Sequence, residues 1–263
     1  MSEAAILRPR MSSRHFDHQR HPSPAGLSDL VENLWTVTWD LPAGETYTAA
    51  VLPYPSVNLT VTNTEADVTG LVRRRYDRHL TERGFAVGAR FRPACFRPFV
   101  RWPVSRLTDQ HRPIAEVLGR STVELRERIE KEDDQGRRAE ILAAFLLEDL
   151  PLADETAFLL AEVVSHIASD HSITRVSQVA ALAQMSVRNL QRSFADYVGA
   201  GPKWVIQRCR LQDAAARAAA AESVDWSDLA VELGFADQAH LIRAFTATVG
   251  TPPATYAKQA QAD

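Results

Sequence analysis

Arg188, Asn189, Gln191 and Arg192 place two guanidinium forks and two carboxamides within five residues. Arginine can donate two hydrogen bonds to a guanine edge, and Asn or Gln can pair with adenine in the same forked way. Farther along, Gln238, His240 and Arg243 bring similar chemistry, with Ala239 and Ile242 beside them as apolar contacts for thymine methyls. Ser186 and Asp237 precede the two groups and suit helix caps, where free backbone N–H groups can hold phosphates. Lys203 and Arg210 are cations suited to a nucleic-acid backbone or to a plain charged surface. Taken singly, any of these residues reads more simply as part of a solvated helix face.

Other residue types suggest different chemistry. His15, His18 and His21 are spaced by three, which on a helix would let them share a metal. They sit in a polar segment without a fourth ligand or an apolar shell, which favours a mobile tail. Cys95 lies among Arg90, Arg92 and Arg97, and nearby positive charge favours a thiolate. A redox sensor and an inert thiol are both consistent with that setting; Cys209 reads as structural. Trp35, Tyr54, Phe91, Phe96 and Trp102 could line a ligand pocket, although aromatics at strand spacing usually form core. No glycine-rich phosphate loop or Ser/His/Asp arrangement stands out. No catalytic residue, cofactor or metal site is therefore expected.

The elements that must carry these residues divide the chain in two. Ten of the 14 prolines precede residue 114, which favours strands and loops first and helices later. Leu34 to Trp39, Tyr47 to Leu52, Val57 to Val61 and the series Phe85, Val87, Ala89, Phe91 read as strands. Turn material lies between them at 42–44, 53–55 and 83–84. Helices should begin near Pro113, with a hairpin of two helices turning near Pro151.

The last hundred residues contain an internal repeat. Ala180, Met185, Leu190, Arg192 and Phe194 match Ala230, Phe235, Leu241, Arg243 and Phe245, and Gly199 and Pro202 match Gly250 and Pro253. Each copy reads as helix, tight turn, helix. Thr174 and Ser186 are placed as caps in the first copy; in the second, Asp225 and Asp228 favour a helix start through the dipole and Asp237 is placed as a cap. Gly234 suits a left-handed turn. Between the copies, Pro202 to about Ala220 should form one helix, some 27 Å long at 1.5 Å per residue. Successive major-groove faces lie about 34 Å apart along a duplex, so such a connector could hold two readers near that spacing.

On these residues the segment from about 165 to 260 resembles the C-terminal DNA-binding domain of the AraC/XylS family of bacterial transcription regulators. Leu233-Gly234-Phe235, Asp237 to Leu241, Arg208, Leu211 and Tyr256 strengthen the likeness; Leu241 departs from the family's usual phenylalanine. The segment 26–119 resembles the β-rich sensor domain of some of these regulators, through Leu34-Trp35, Val57-Asn58-Leu59 and Val87 to Pro93. The resemblance implies an α+β multidomain protein: a β-rich N-terminal domain followed by an all-α domain of two helix-turn-helix units joined by a long helix. The expected divisions are a mobile tail (1–25), a sensor or dimerisation domain (26–119), a helical connector (120–160) and the DNA-binding domain (161–260). The units span about 174–199 and 225–250. The implied partners are double-stranded DNA, a small-molecule effector, RNA polymerase and a second copy of the chain.

Composition sets outer limits. Across 263 residues, 45% are hydrophobic and 24% charged, which supplies a core and excludes a wholly disordered chain. The net charge of -3 means that nucleic-acid binding must come from a local surface rather than a basic coat. No apolar run has membrane-spanning length, and the polar start does not suit a signal peptide. A cytoplasmic, non-enzymatic regulator is the expectation. An enzyme, or a metal- or redox-sensing β domain fused to a DNA-binding module, is the alternative.

Overall fold

The computed structural model describes residues 16–51, 54–73, 76–220 and 224–262. Among the described residues eight strands come first: β1 (Phe16–Pro22), β2 (Val31–Asp40), β3 (Thr46–Val51), β4 (Asn58–Thr62), β5 (Ala66–Thr69), β6 (Tyr76–Thr81), β7 (Arg83–Phe91) and β8 (His111–Pro113). Six form one antiparallel sheet in the order β1-β2-β7-β4-β5-β8, while β3 and β6 pair separately. Alternation decides the faces of the large sheet. Leu34, Leu59, Val61, Val68, Phe85, Val87, Ala89 and Phe91 all turn toward one core.

Three helices close that core: α1 (Ile114–Leu118), α2 (Val123–Glu130) and α3 (Gln135–Leu147). They contribute Ile114, Leu125, Ile129, Leu142, Phe145 and Leu146 to the same buried cluster. Burying such a side chain stabilises by about 1.5–3 kcal/mol, so these helices are integral to the sheet's packing. Asp134 caps α3 by accepting from the Arg137 N–H at 2.8 Å. The helix α4 (Glu155–Ser169) packs elsewhere, in the cluster containing Val179, Leu190 and Phe194. The expected connector is therefore split: α2 and α3 pack on the sheet, whereas α4 packs on unit one through Leu160, Val163, Val164 and Ile167 and meets Leu30 and Cys95 of the β domain through Ala157.

The first strand also departs from expectation. Phe16–Pro22 is no mobile tail, since every residue pairs with β2, from Phe16 opposite Trp39 to Pro22 opposite Asn33. Its side chains are mostly exposed, so the strand is held by backbone bonds at a sheet edge and shows no apolar alternation. The remainder of the expected tail before residue 16, His15 included, lies outside the described residues, as does Leu52. Arg83 and Gly84 open β7 rather than forming a turn; the turn falls on Glu82, at φ 52°.

The C-terminal part follows the repeat. Unit one contains α5 (Val176–Leu182) and α6 (Val187–Ser193), the latter continuing into one wide π-helical turn, Phe194–Val198. Then come the connecting helix α7 (Pro202–Ala220), α8 (Trp226–Glu232) and α9 (Gln238–Val249) of unit two, and α10 (Pro253–Ala262). Thr174 is not the cap of α5. Arg175 occupies that position, and the Gln178 carboxamide reaches back to accept from the Thr174 and Arg175 N–H groups at 3.0 and 2.9 Å.

Candidate nucleic-acid interface

Both second helices are oriented by the same local devices. The Ser186 hydroxyl accepts from the Asn189 N–H at 3.2 Å, and the Asp237 carboxylate accepts from the His240 N–H at 2.6 Å. The tight turn before each needs a left-handed residue. Gly234 supplies it at φ 67° in unit two, and Gln184 takes the equivalent place at φ 52° in unit one. Leu190 and Phe194 anchor the first helix, Leu241 and Phe245 the second, and all four are completely buried.

With those faces committed inward, Arg188, Asn189, Gln191 and Arg192 are exposed on α6. Gln238, Ala239, His240 and Arg243 are exposed on α9, with Ile242 half-buried. Several are already oriented. Arg192 Nη2 donates to Asn189 Oδ1 at 3.4 Å, and the Gln238 side-chain carbonyl accepts from Ser227 Oγ at 3.0 Å. The His240 ring stands edge-on to Phe235, with centroids 5.3 Å apart. Lys203 is exposed at the start of α7. Arg210, expected as a DNA-backbone contact or a plain surface charge, is engaged within the protein. Its fork donates to the carbonyls of Gly234 and Ile173, at 3.3 and 3.2 Å, inside the domain.

Unit one is fastened to the β domain. Arg97 Nε meets Asp196 Oδ1 at 2.8 Å, and its guanidinium lies 5.5 Å from the Tyr197 ring centre. Thr108 Oγ1 donates to the Gly199 carbonyl at 2.7 Å. Tyr197 Oη donates to Asp154, the cap of α4, at 3.1 Å. Leu71 and Ala94 from the β domain enter the buried cluster of unit one. Most of these contacts reach the π-helical turn and Gly199, directly behind the first polar helix face. Among the described residues, the core of unit two draws on α7 to α10 and the turns between them.

The aromatic pocket read from the sequence does not assemble. Phe91 and Phe96 are buried and pack edge-to-face with centroids 4.9 Å apart, and Trp102 packs against the same core. Trp35 lies on the opposite face of the sheet, so close over Gly88 that a Cβ there would sit 2.3 Å from the ring. Tyr54 is near Arg90, 5.7 Å from ring centre to guanidinium, with burial and the nearby Glu32 holding its hydroxyl above the usual phenol range. Neighbouring strand residues point to opposite faces, which separates Phe91 from Arg90 and divides the set. Glu32 Oε2, Ser56 Oγ and Arg90 Nε are shielded without a hydrogen-bond partner among the described residues.

The reactive candidates change character too. His18 and His21 are three apart on a strand and so face opposite ways; His21 Nε2 pairs with Thr36 Oγ1 at 2.9 Å. Among the described residues no group of three His, Cys, Asp or Glu could hold a metal. Cys95 is completely buried, and burial pushes its thiol up to about 12 despite Arg92. Burial does the same to Cys209, also to about 12. Neither thiol should react with an aromatic disulfide reagent at pH 8 in the native protein, and both should react in denaturant. Rapid native labelling of Cys95 would restore the redox reading.

A helix-turn-helix domain family matches residues 179–259, and a domain of unknown function, DUF6597, matches residues 19–113. No curated protein matches the sequence. Among solved structures, ToxT from Vibrio cholerae O395 superposes with a TM-score of 0.44 at 9% identity, covering 95% of this chain and 100% of that one. An apo ToxT variant from strain SCE256 gives 0.44 at 10% identity, covering 86% and 97%. Unsaturated-fatty-acid-bound ToxT from the same strain gives 0.37 at 10% identity, covering 93% and 94%. Among the described residues no helix is long and apolar enough to cross a membrane. Two capped helix-turn-helix units on one connecting helix, matched by their domain family over residues 179–259, identify the C-terminal region as an AraC-type helix-turn-helix DNA-binding domain.

Proposed function

We propose that the protein reads two successive major-groove segments of one duplex, with α6 and α9 as recognition helices. Arg188, Asn189, Gln191 and Arg192 read bases in one segment; Gln238, His240 and Arg243 read the other. Lys203 and the helix starts at Ser186 and Asp237 meet the phosphate backbone. The carrying observation is that equivalent buried anchors, Leu190 with Phe194 and Leu241 with Phe245, leave the equivalent arginines Arg192 and Arg243 exposed. In this reading the chain is a cytoplasmic regulator and not an enzyme.

The N-terminal domain supplies control, by a small-molecule effector or by dimerisation, with RNA polymerase as a downstream partner. The fastening of Arg97 to Asp196 and Thr108 to Gly199 supports a route through unit one. A ligand settling on the sheet face that holds Trp35, Tyr54, Glu32 and Arg90 would act at the end of β7. The segment running from β7 to Arg97 joins that end to the contact with Asp196.

Selection of bound duplexes from a random library tests the DNA reading. Two short half-patterns about one helical turn apart are expected. Arg192→Ala should degrade only one half-pattern and Arg243→Ala only the other, each lowering affinity by about 1–3 kcal/mol at fixed salt. Unchanged selectivity in both variants would remove α6 and α9 from the role of readers.

A further inference from the structure

The two units do not share an apolar core. Along α7, Val205, Ile206 and Cys209 belong to the cluster of unit one, whereas Leu211, Ala214, Ala215 and Ala218 belong to that of unit two. A helix alone leaves unit two free to rock about the connector, yet Arg210, on a third stripe of α7, ties unit two to the segment before α5. Arg210, Asp213 and Arg217 are spaced by three and four and so share one helix face.

Each member of the stripe bridges outward. Arg210 donates one end of its fork to the Ile173 carbonyl, in the loop leading into α5, and the other to the Gly234 carbonyl, in the turn of unit two. Asp213 stands 3.7 Å from His171 Nε2 and 2.9 Å from Arg217 Nε. Arg217 also pairs with Glu232 at the end of α8. The segments so joined already touch: a Cβ on Gly234 would lie 2.9 Å from Thr174 Cγ2.

We infer that Arg210 is a positioning residue that fixes the distance and rotational phase between the two recognition helices, and with them the half-site spacing the protein accepts. A guanidinium suits this task because its rigid planar fork can hold two carbonyls from two different units at once. A lysine ammonium is a single point charge on a flexible stem. Two linked readers gain from each other only while the geometry allows both to engage, so a rigid pair is selective for spacing and a loose pair is not. The inference rests on the DNA reading proposed above.

The experiment has a DNA arm and a DNA-free arm, both on the full chain. In the first, wild type and Arg210→Lys are titrated against selected duplexes whose half-patterns are moved one base pair closer or farther apart. Wild type should lose affinity by about tenfold or more at each altered spacing. Arg210→Lys should show a flattened profile, with base preferences inside each half-pattern unchanged. In the second, spin labels at the exposed positions Ser177→Cys and Ala247→Cys report the distance between units. A narrow distribution in the otherwise native chain should broaden with Arg210→Lys, whereas Arg217→Gln, whose partners Asp213 and Glu232 lie on α7 and in unit two, should leave it narrow. Far-ultraviolet dichroism confirms that the variants are folded.

An unchanged spacing profile or an unchanged distance distribution in folded Arg210→Lys overturns the inference. So does a wild type indifferent to spacing. If wild type selects no duplex, the DNA reading fails, while the label distances still decide whether Arg210 holds the units in place.

Discussion

Phe245→Ala is expected to unfold unit two while the β domain and unit one stay folded. Phe245 is completely buried and stacks obliquely on Tyr256, with ring centroids 5.6 Å apart. Removing such a ring costs about 3–5 kcal/mol through lost burial and the cavity left behind. A unit of roughly fifty residues commands only a few kcal/mol, on the order of 5, at typical stability per residue. The loss is therefore comparable with the whole reserve of this unit. It remains local because the cluster around Phe245 draws on α7 to α10 and their turns, whereas unit one shares its core with Leu71 and Ala94 of the β domain. Calorimetry should show a new low-temperature transition, and hydrogen exchange should rise over 226–262 but not over β2 and β7. A single transition displaced by less than about 1 kcal/mol would contradict the separate core.

Gly70→Ala should disturb the contact between the β domain and unit one. A Cβ on Gly70 would lie 1.9 Å from the Leu107 carbonyl oxygen and 2.4 Å from its carbonyl carbon. Those are backbone atoms, so no rotamer change relieves the clash. The two segments are also joined by Gly70 N–H to Gln110 O at 3.1 Å and Asp109 N–H to Leu71 O at 2.8 Å. Overpacking of this kind typically costs about 1–3 kcal/mol, and the backbone contact places this variant at the upper end. The segment that must move carries Thr108, whose hydroxyl holds Gly199 at the end of the π-helical turn that follows α6. Urea unfolding should register the loss of stability, and exchange at 194–199 should rise while that of α9 does not. Wild-type stability would show that the 104–110 segment yields more easily than its bonding indicates.

The two units were legible in the sequence because their determinants are local. Ser186, Asp225 and Asp237 cap helices that begin one residue later. Leu190 with Phe194, and Leu241 with Phe245, are four apart and face one way whatever surrounds them. The β domain was legible only in its half-buried strands. Strands β2 and β7 alternate and were recognisable, but β1 is polar and exposed, β5 has four residues and β8 three. Such strands exist because a neighbour offers backbone partners, and no side-chain period announces that.

Sequence alone therefore determined the doubled helix-turn-helix, its connecting helix and the polar residues exposed on α6 and α9, since caps, turns and helical periods act over a few residues. Tertiary structure decided which aromatics share a sheet face, that α2 and α3 close the sheet's core, and that Cys95 is shielded rather than activated. It also turned Arg210 inward. That choice depends on carbonyls at Ile173 and Gly234, which lie far from it in sequence and come within reach only once both units have folded onto α7.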